Sequence, residues 1–168
     1  MPNWVKNTLK IIKGDPQEVF AKIRTEESVF DFNTLVPMPE MPEHIETPGE
    51  DVALARPAVP AWYVWSVEHW GTKWNARCAQ YSTKDPQHVI WFDTAWAPPA
   101  AIFESLAQHF PAHEIVIYSD EYNNHFHGTC TIVGGHVAWA SDPCQCFDED
   151  MTGLSNEELA ALGIEEAP

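Results

Sequence analysis

An α+β sandwich is the fold this sequence predicts, a largely antiparallel sheet with helices packed on one face. Three observations point there. Residues 4–13 alternate apolar and polar as a strand does, and they run straight into a helix-start signal at Asp15-Pro16. Ile102, Phe103, Leu106 and Phe110 recur at helical spacing between two runs of β-formers, residues 88–96 and 114–119. Gly134-Gly135 separates two further β runs, 129–133 and 136–140, as the tight turn of a hairpin does.

In the first strand Val5, Leu9 and Ile11 share one face with Asn7, and Lys6, Thr8 and Lys10 take the other. Gly14 ends it. Asp15 then caps a helix, Pro16 suits its first position, Glu18 completes a capping box, and Val19, Phe20 and Ile23 give it a buried stripe. Residues 29–36 are rich in β-formers and read as a second strand, closing a strand–helix–strand unit of about thirty residues. The pattern collapses over residues 37–60, where six prolines favour an extended inserted loop.

Residues 61–74 read as a helix carrying Trp62, Trp65, Trp70 and Trp74, ended or bent at Gly71. Residues 76–82 form a strand, and Lys84-Asp85-Pro86-Gln87 turns the chain into the strand at 88–96. Pro98-Pro99 opens the next helix and Pro111 stops it. Beyond the hairpin the tail is acidic, with Ser155-Asn156-Glu157-Glu158 able to cap a short helix that ends at Gly163. Two strand–helix–strand halves around an antiparallel sheet make a ferredoxin-like topology, with residues 1–141 as one domain, 37–60 as its Pro-rich insertion and 142–168 as an acidic tail.

The charge is lopsided. The chain carries 25 acidic against 9 basic residues, net −16, and every Lys and Arg lies at or before Lys84. Residues 85–168 hold 14 acidic residues and no Lys or Arg. Such a chain is repelled by phosphate backbones and anionic membranes, so direct nucleic-acid and membrane partners are disfavoured. There is neither a basic head with an apolar run behind it nor a stretch long enough to span a bilayer, so the expected location is the cytoplasm. Cys78, Cys130, Cys144 and Cys146 are too few and too unevenly placed for a disulfide framework or an iron–sulfur centre, and read as reduced thiols.

Met-Pro-Asn-Trp at 1–4 with Asn7, Phe30-Asp31-Phe32-Asn33 running into Pro37-Met38-Pro39, Trp70-Gly71-Thr72-Lys73-Trp74-Asn75-Ala76, and Phe92-Asp93-Thr94-Ala95-Trp96 before Pro98-Pro99 resemble the YubB-type ferredoxin-like family. The resemblance spans residues 1–140 in order. It implies a small cytoplasmic accessory protein of a phage or plasmid and carries no catalytic residues with it.

Two candidate sites stand out. Trp70, Lys73, Trp74, Asn75, Asp93 and Trp96 could line a pocket in which indoles, a cation and an amide recognise a planar ligand or a peptide. The favoured alternative makes Trp70 and Trp74 core anchors, with Lys73 paired to a carboxylate and Asp93 architectural. The second candidate is an acidic interaction surface built from Asp120, Glu121, Asp148, Glu149, Asp150, Glu157 and Glu158, which could imitate nucleic-acid phosphates. Its plain alternative is solubility.

Asp120, Glu121, His125 and His127 cluster, yet no further ligand is fixed by spacing and Cys144-Gln145-Cys146 is one residue short of a zinc knuckle, so no metal or other cofactor is expected. No nucleophile elbow or phosphate-cradling loop is present in the sequence, and Cys130 lies in a strand with no basic neighbour. The sequence therefore predicts a non-enzymatic protein that binds and inhibits a host protein with a basic surface, a defence or nucleic-acid-processing factor. A small ligand-binding module or enzyme at the Trp/Lys/Asn/Asp cluster is the first alternative. The second is a single-stranded nucleic-acid binder using Lys6, Lys10 and Lys13 as a basic strip on the sheet face.

Overall fold

The computed structural model of the protein describes residues 3–41, 60–121 and 126–142. Most of the Pro-rich insertion and the helix read from Ser155 lie outside them. The elements are β1 (Trp4–Lys13), α1 (Pro16–Ile23), a single 3-10 turn (Phe32–Thr34), α2 (Ala61–Trp70), β2 (Arg77–Tyr81), β3 (Val89–Ala95), α3 (Ala100–His109), β4 (Glu114–Glu121), β5 (Phe126–Val133) and β6 (His136–Asp142). The six strands form one sheet in the order β2-β3-β1-β4-β5-β6, antiparallel at every junction. Strand β3 lies between β1 and β2, and β1 between β3 and β4. The units β1-α1-β2 and β3-α3-β4 therefore interleave, which is the ferredoxin-like α+β arrangement, and the β5-β6 hairpin extends the sheet beyond β4.

The predicted strand at 29–36 is a correction. Those residues form an irregular segment around the 3-10 turn, and the return strand of the first unit is β2, reached only after the insertion and α2. The cause is local. The Asp31 side chain accepts hydrogen bonds from the backbone and side-chain amides of Asn33 at 2.9 and 3.0 Å, which offers the backbone a turn in place of a ladder. Phe30 and Phe32 are both fully buried, and that i, i+2 pattern is what imitated a strand.

The remaining elements form as their residues dictate. Asp15 caps α1 by accepting from Gln17 N, with Pro16 at the first helical position. Gly71 closes α2 in the left-handed conformation at φ 80°, where a side chain would press on the Ala100 backbone. One face of the sheet and the helices enclose the core, with Leu9 and Ile11 of β1, Ile90 and Phe92 of β3, Ile115 and Ile117 of β4, and Phe20, Ile102, Phe103 and Leu106 from the helices.

Asn7, the polar residue on the apolar face of β1, is the centre of a buried network. Its Nδ2 donates to Thr94 Oγ1 at 3.0 Å, its Oδ1 accepts from Ser119 Oγ at 2.7 Å, and Thr94 passes its own hydroxyl proton to the Ala97 carbonyl at 2.9 Å. Each buried polar atom is thereby matched, and β1, β3, β4 and the turn after β3 are stitched at one end of the sheet.

Candidate functional site

The segment Trp70–Asn75 divides into residues that hold the fold and residues that face outward. Trp70 is core, its indole N–H donating to the Val36 carbonyl at 2.9 Å. Thr72 is buried and its hydroxyl donates to the Ala95 carbonyl at 2.8 Å. Asn75 pins the 3-10 segment: Oδ1 accepts from Phe32 N at 2.8 Å and Nδ2 donates to Asp31 Oδ1 at 2.7 Å. The Lys73 carbonyl accepts from Ser66 Oγ at 2.8 Å, which fixes the backbone and sends the Lys73 side chain outward.

There Lys73 Nζ meets three rings, with centroids at 4.5 Å for Trp74, 4.8 Å for Trp96 and 5.5 Å for Tyr63. The cluster continues on both sides. Trp74 packs on Trp4 at 5.8 Å between centroids, and the Arg77 guanidinium lies 5.7 Å from the Trp4 ring. Tyr63 touches Trp96 at 6.4 Å and Trp62 at 6.0 Å. Five rings and two cations thus form a contiguous surface drawn from four separate stretches of chain. Neither Lys73 nor Arg77 forms an ion pair with a described carboxylate.

Trp96 is the most unusual member. It is 47% exposed and sits at φ 68°, a left-handed conformation that costs a bulky L-residue on the order of 1–2 kcal/mol. The turn around it is tied down on both sides, by Trp96 N donating to the Asn3 carbonyl at 2.9 Å and by the Thr94 hydroxyl on Ala97. A strained backbone, held rigidly so as to expose an indole, is the kind of feature that concentrates at binding sites.

Beside this surface the open face of the sheet carries a cross-strand row of alternating charge. The register sets Arg77 of β2 against Asp93 of β3, Asp93 against Lys6 of β1, Lys6 against Asp120 of β4, and Asp120 against His127 of β5. His127 Nδ1 is 2.9 Å from Asp120 Oδ1. Partial burial holds the carboxyls of both Asp93 and Asp120 above the ordinary value; Lys6 pulls Asp93 back, and His127 and then Lys6 pull Asp120 back.

The predicted pocket residues are therefore only partly brought together. Lys73, Trp74 and Trp96 meet; Trp70 lies in the core, Asn75 is an architectural clamp, and Asp93 belongs to the charged row, not to Lys73. The expected carboxylate partner of Lys73 is replaced by rings. Trp4, Trp62, Tyr63 and Arg77 complete the surface unforeseen; the signal available was that Trp62 and Tyr63 open α2 on its exposed side. A separate groove of about 730 Å³ between residues 25–31 and 74–79 is lined by Trp74, Asn75 and Arg77 but by neither Lys73 nor Asp93.

Of the predicted acidic surface, Glu121 is buried and Asp120 is paired with His127. Asp148, Glu149, Asp150, Glu157 and Glu158 lie outside the described residues, as do His125, Cys144 and Cys146. Lys6, Lys10 and Lys13 do not form an isolated basic strip, because Lys6 stands between two aspartates and Lys13 opposite Glu114. Cys130 is fully buried, and burial pushes its thiol up to about 12. Among the described residues no helix is long and apolar enough to cross a membrane, and no group of acidic, His and Cys side chains could hold a metal ion.

Comparison with known proteins adds a family. The model described as the ferredoxin-like domain in Api92-like protein matches residues 69–158, more than half of the chain. The crystal structure of the protein api92 from Yersinia pseudotuberculosis is similar at 20% identity and a TM-score of 0.42, over 50% of this chain and 31% of that one. The chain thus spans about a third of the length of that relative. No curated protein sequence matches.

Proposed function

From a chain that belongs to the family of ferredoxin-like domains in Api92-like proteins, we propose a non-enzymatic interaction domain that docks on a protein partner through Trp62, Tyr63, Lys73, Trp74, Arg77 and Trp96. The observation that carries this reading is a run of half-buried and exposed rings interleaved with two cations that lack carboxylate partners among the described residues. Trp, Tyr and Arg dominate interface hot spots, because large rigid rings bury much area at little entropic cost and stacked cations still have donors to spare. The segment that fits here offers carbonyl or carboxylate acceptors to Lys73 and Arg77 and apolar or proline side chains to the rings.

The sequence favours a second reading, in which the acidic half beyond Lys84, with 14 acidic residues and no Lys or Arg, approaches a basic host factor as a nucleic-acid mimic through those that are not buried as Glu121 is. The phage or plasmid setting, the cytoplasmic location and the YubB-type placement implied by resemblance belong with it. One experiment separates the two: affinity capture from bacterial lysate with wild type, a Trp62→Ala/Trp96→Ala variant, and a variant with Asp148, Glu149, Asp150, Glu157 and Glu158 changed to their amides. The aromatic reading expects a specific partner that is lost with the tryptophans and kept with the amides. The reverse pattern, with binding that weakens steeply as salt rises, supports the mimic and overturns the aromatic surface.

A further inference from the structure

The sheet has two outer edges, and they are finished differently. At β2 the register against β3 breaks between Arg77 and Gln80, Cys78 sits at φ 52°, and residues 25–29 run alongside across the groove. A bulge, a charged side chain and a flanking loop are the devices by which sheets keep an edge from pairing with another chain. β6 shows no bulge, and its charged residue, Asp142, stands at its very end. All seven of its residues pair one-to-one with β5, and His136-Val137-Ala138-Trp139-Ala140-Ser141-Asp142 contains no Pro, Lys, Arg or Glu. Among the described residues no strand pairs with its outer side. Trp139 packs on Phe103 at 5.6 Å between centroids and remains 44% exposed.

We propose that the β6 edge pairs with β6 of a second copy of this chain, antiparallel about a twofold axis at Trp139, so that the two sheets become one. The strand itself names this occupant, because it is self-complementary when read backwards about Trp139. His136 falls opposite Asp142, Val137 opposite Ser141, Ala138 opposite Ala140, and Trp139 opposite its own copy. Small residues meet small ones on the open face and the two indoles meet on the helix side next to Phe103, the arrangement in which cross-strand pairs stabilise a sheet. Moving the axis by one position takes Trp139 away from its own copy and sets it opposite Val137 or Ser141. The dimer leaves β2 and the aromatic surface at the two far ends, so this inference stands or falls independently of the docking reading.

Sedimentation of the full chain over a concentration series tests it, alongside two double variants, Ala138→Lys/Ala140→Lys and Ala138→Asp/Ala140→Asp. Wild type is expected to reach twice 19.0 kDa as concentration rises. Each variant alone sets like charges opposite each other and sediments as a monomer, while an equal mixture of the two recovers the dimer, which no folding defect could produce. Hydrogen exchange on wild type provides a second reading: protection of the β6 amides should grow with concentration. A wild type that stays at 19.0 kDa with β6 protected equally at every concentration means that the chain covers its own edge, and overturns the proposal. Dimers that survive both double variants overturn it as well.

Discussion

Trp70 and Trp74 stand four residues apart in one segment, yet they belong to two aromatic clusters with different physics. Around Trp70, the rings of Phe30, Phe32 and Phe92 meet edge to face with centroids 4.9–6.3 Å apart, all of them buried, and the single polar atom, the indole N–H, is bonded to a carbonyl. Around Trp74 the rings of Trp4, Tyr63 and Trp96 are spaced by cations and open to water on one side. The first cluster gains its stability from area removed from water. The second leaves much of that gain unrealised and holds Trp96 in a strained backbone besides. The contrast implies that the inner cluster is there for folding and the outer one for contact, and each side can be tested by mutation.

The largest effect is expected inside. Phe92→Ala removes a buried ring at the centre of the edge-to-face group and should cost about 3–5 kcal/mol in denaturant unfolding. A loss below about 1 kcal/mol would mean that the inner rings are not the core and would erase the contrast. Next is Asn75→Ala, which cuts the bonds that tie the 3-10 segment with Phe30 and Phe32 to the end of the aromatic segment. Stranding the Phe32 amide and loosening Asp31 should cost about 1–3 kcal/mol. Asn75 spends its side chain on the inner segment and adds no ring or cation to the outer surface, so partner capture at a temperature well below unfolding should be largely retained.

The outer cluster should answer in the opposite sense. Trp96→Gly relieves the left-handed strain at φ 68° but gives up the covered half of the indole, two opposing effects, so unfolding free energy should fall by no more than about 1–2 kcal/mol, well short of the loss at Phe92. Binding to whatever the surface captures should meanwhile fall tenfold or more, as truncation of a hot-spot indole does. A Trp96→Gly protein that is destabilised as much as Phe92→Ala and fully competent to bind would make the ring a packing residue and merge the two clusters into one.

How much of this was legible in the sequence follows the same division. Strand periodicity, the Asp15-Pro16 helix start, the spacing from Ile102 to Phe110 and the Gly134-Gly135 turn are local signals, and the elements they predict are present. Residues 29–36 misled because burial of Phe30 and Phe32 alternates as in a strand, while the Asp31 and Asn33 side chains, which decide the backbone, were read as β context. The site was harder. Spacing places Trp70 and Trp74 on one helix, but Gly71 ends that helix, so the two indoles leave in different directions; which one enters the core depends on Val36 and Phe32, more than thirty residues away. The company of Lys73 is likewise long-range, since Trp96 and Tyr63 reach it from the turn after β3 and from α2. Asp93 is a carboxylate in an apolar strand, and the charges that account for it, Lys6 and Arg77, come from β1 and β2, beyond the reach of local spacing.

The smallest expected effect lies at that carboxylate, where the outer cluster runs into the charged row through Arg77. Burial raises the Asp93 pKa above 3.8 and Lys6 offsets this only in part, so the folded protein holds that proton more tightly than the unfolded chain does. The proton-linked stability is therefore fully present below pH 3.8 and is lost as pH rises through the raised folded value, which leaves ionised Asp93 a small net burden at neutral pH. Asp93→Asn imitates the protonated form. Its unfolding free energy at pH 7 should equal or slightly exceed that of wild type, by less than about 1 kcal/mol for a group this exposed, and the difference should close as pH falls toward the pKa of an ordinary carboxyl. The opposite slope, a neutral-pH loss that vanishes in acid, would show Asp93 to be a favourable partner of Lys6 and Arg77. Arg77 would then be held from two directions, by the indole of Trp4 and by a carboxylate, and would have less to offer a docking partner than Lys73 does.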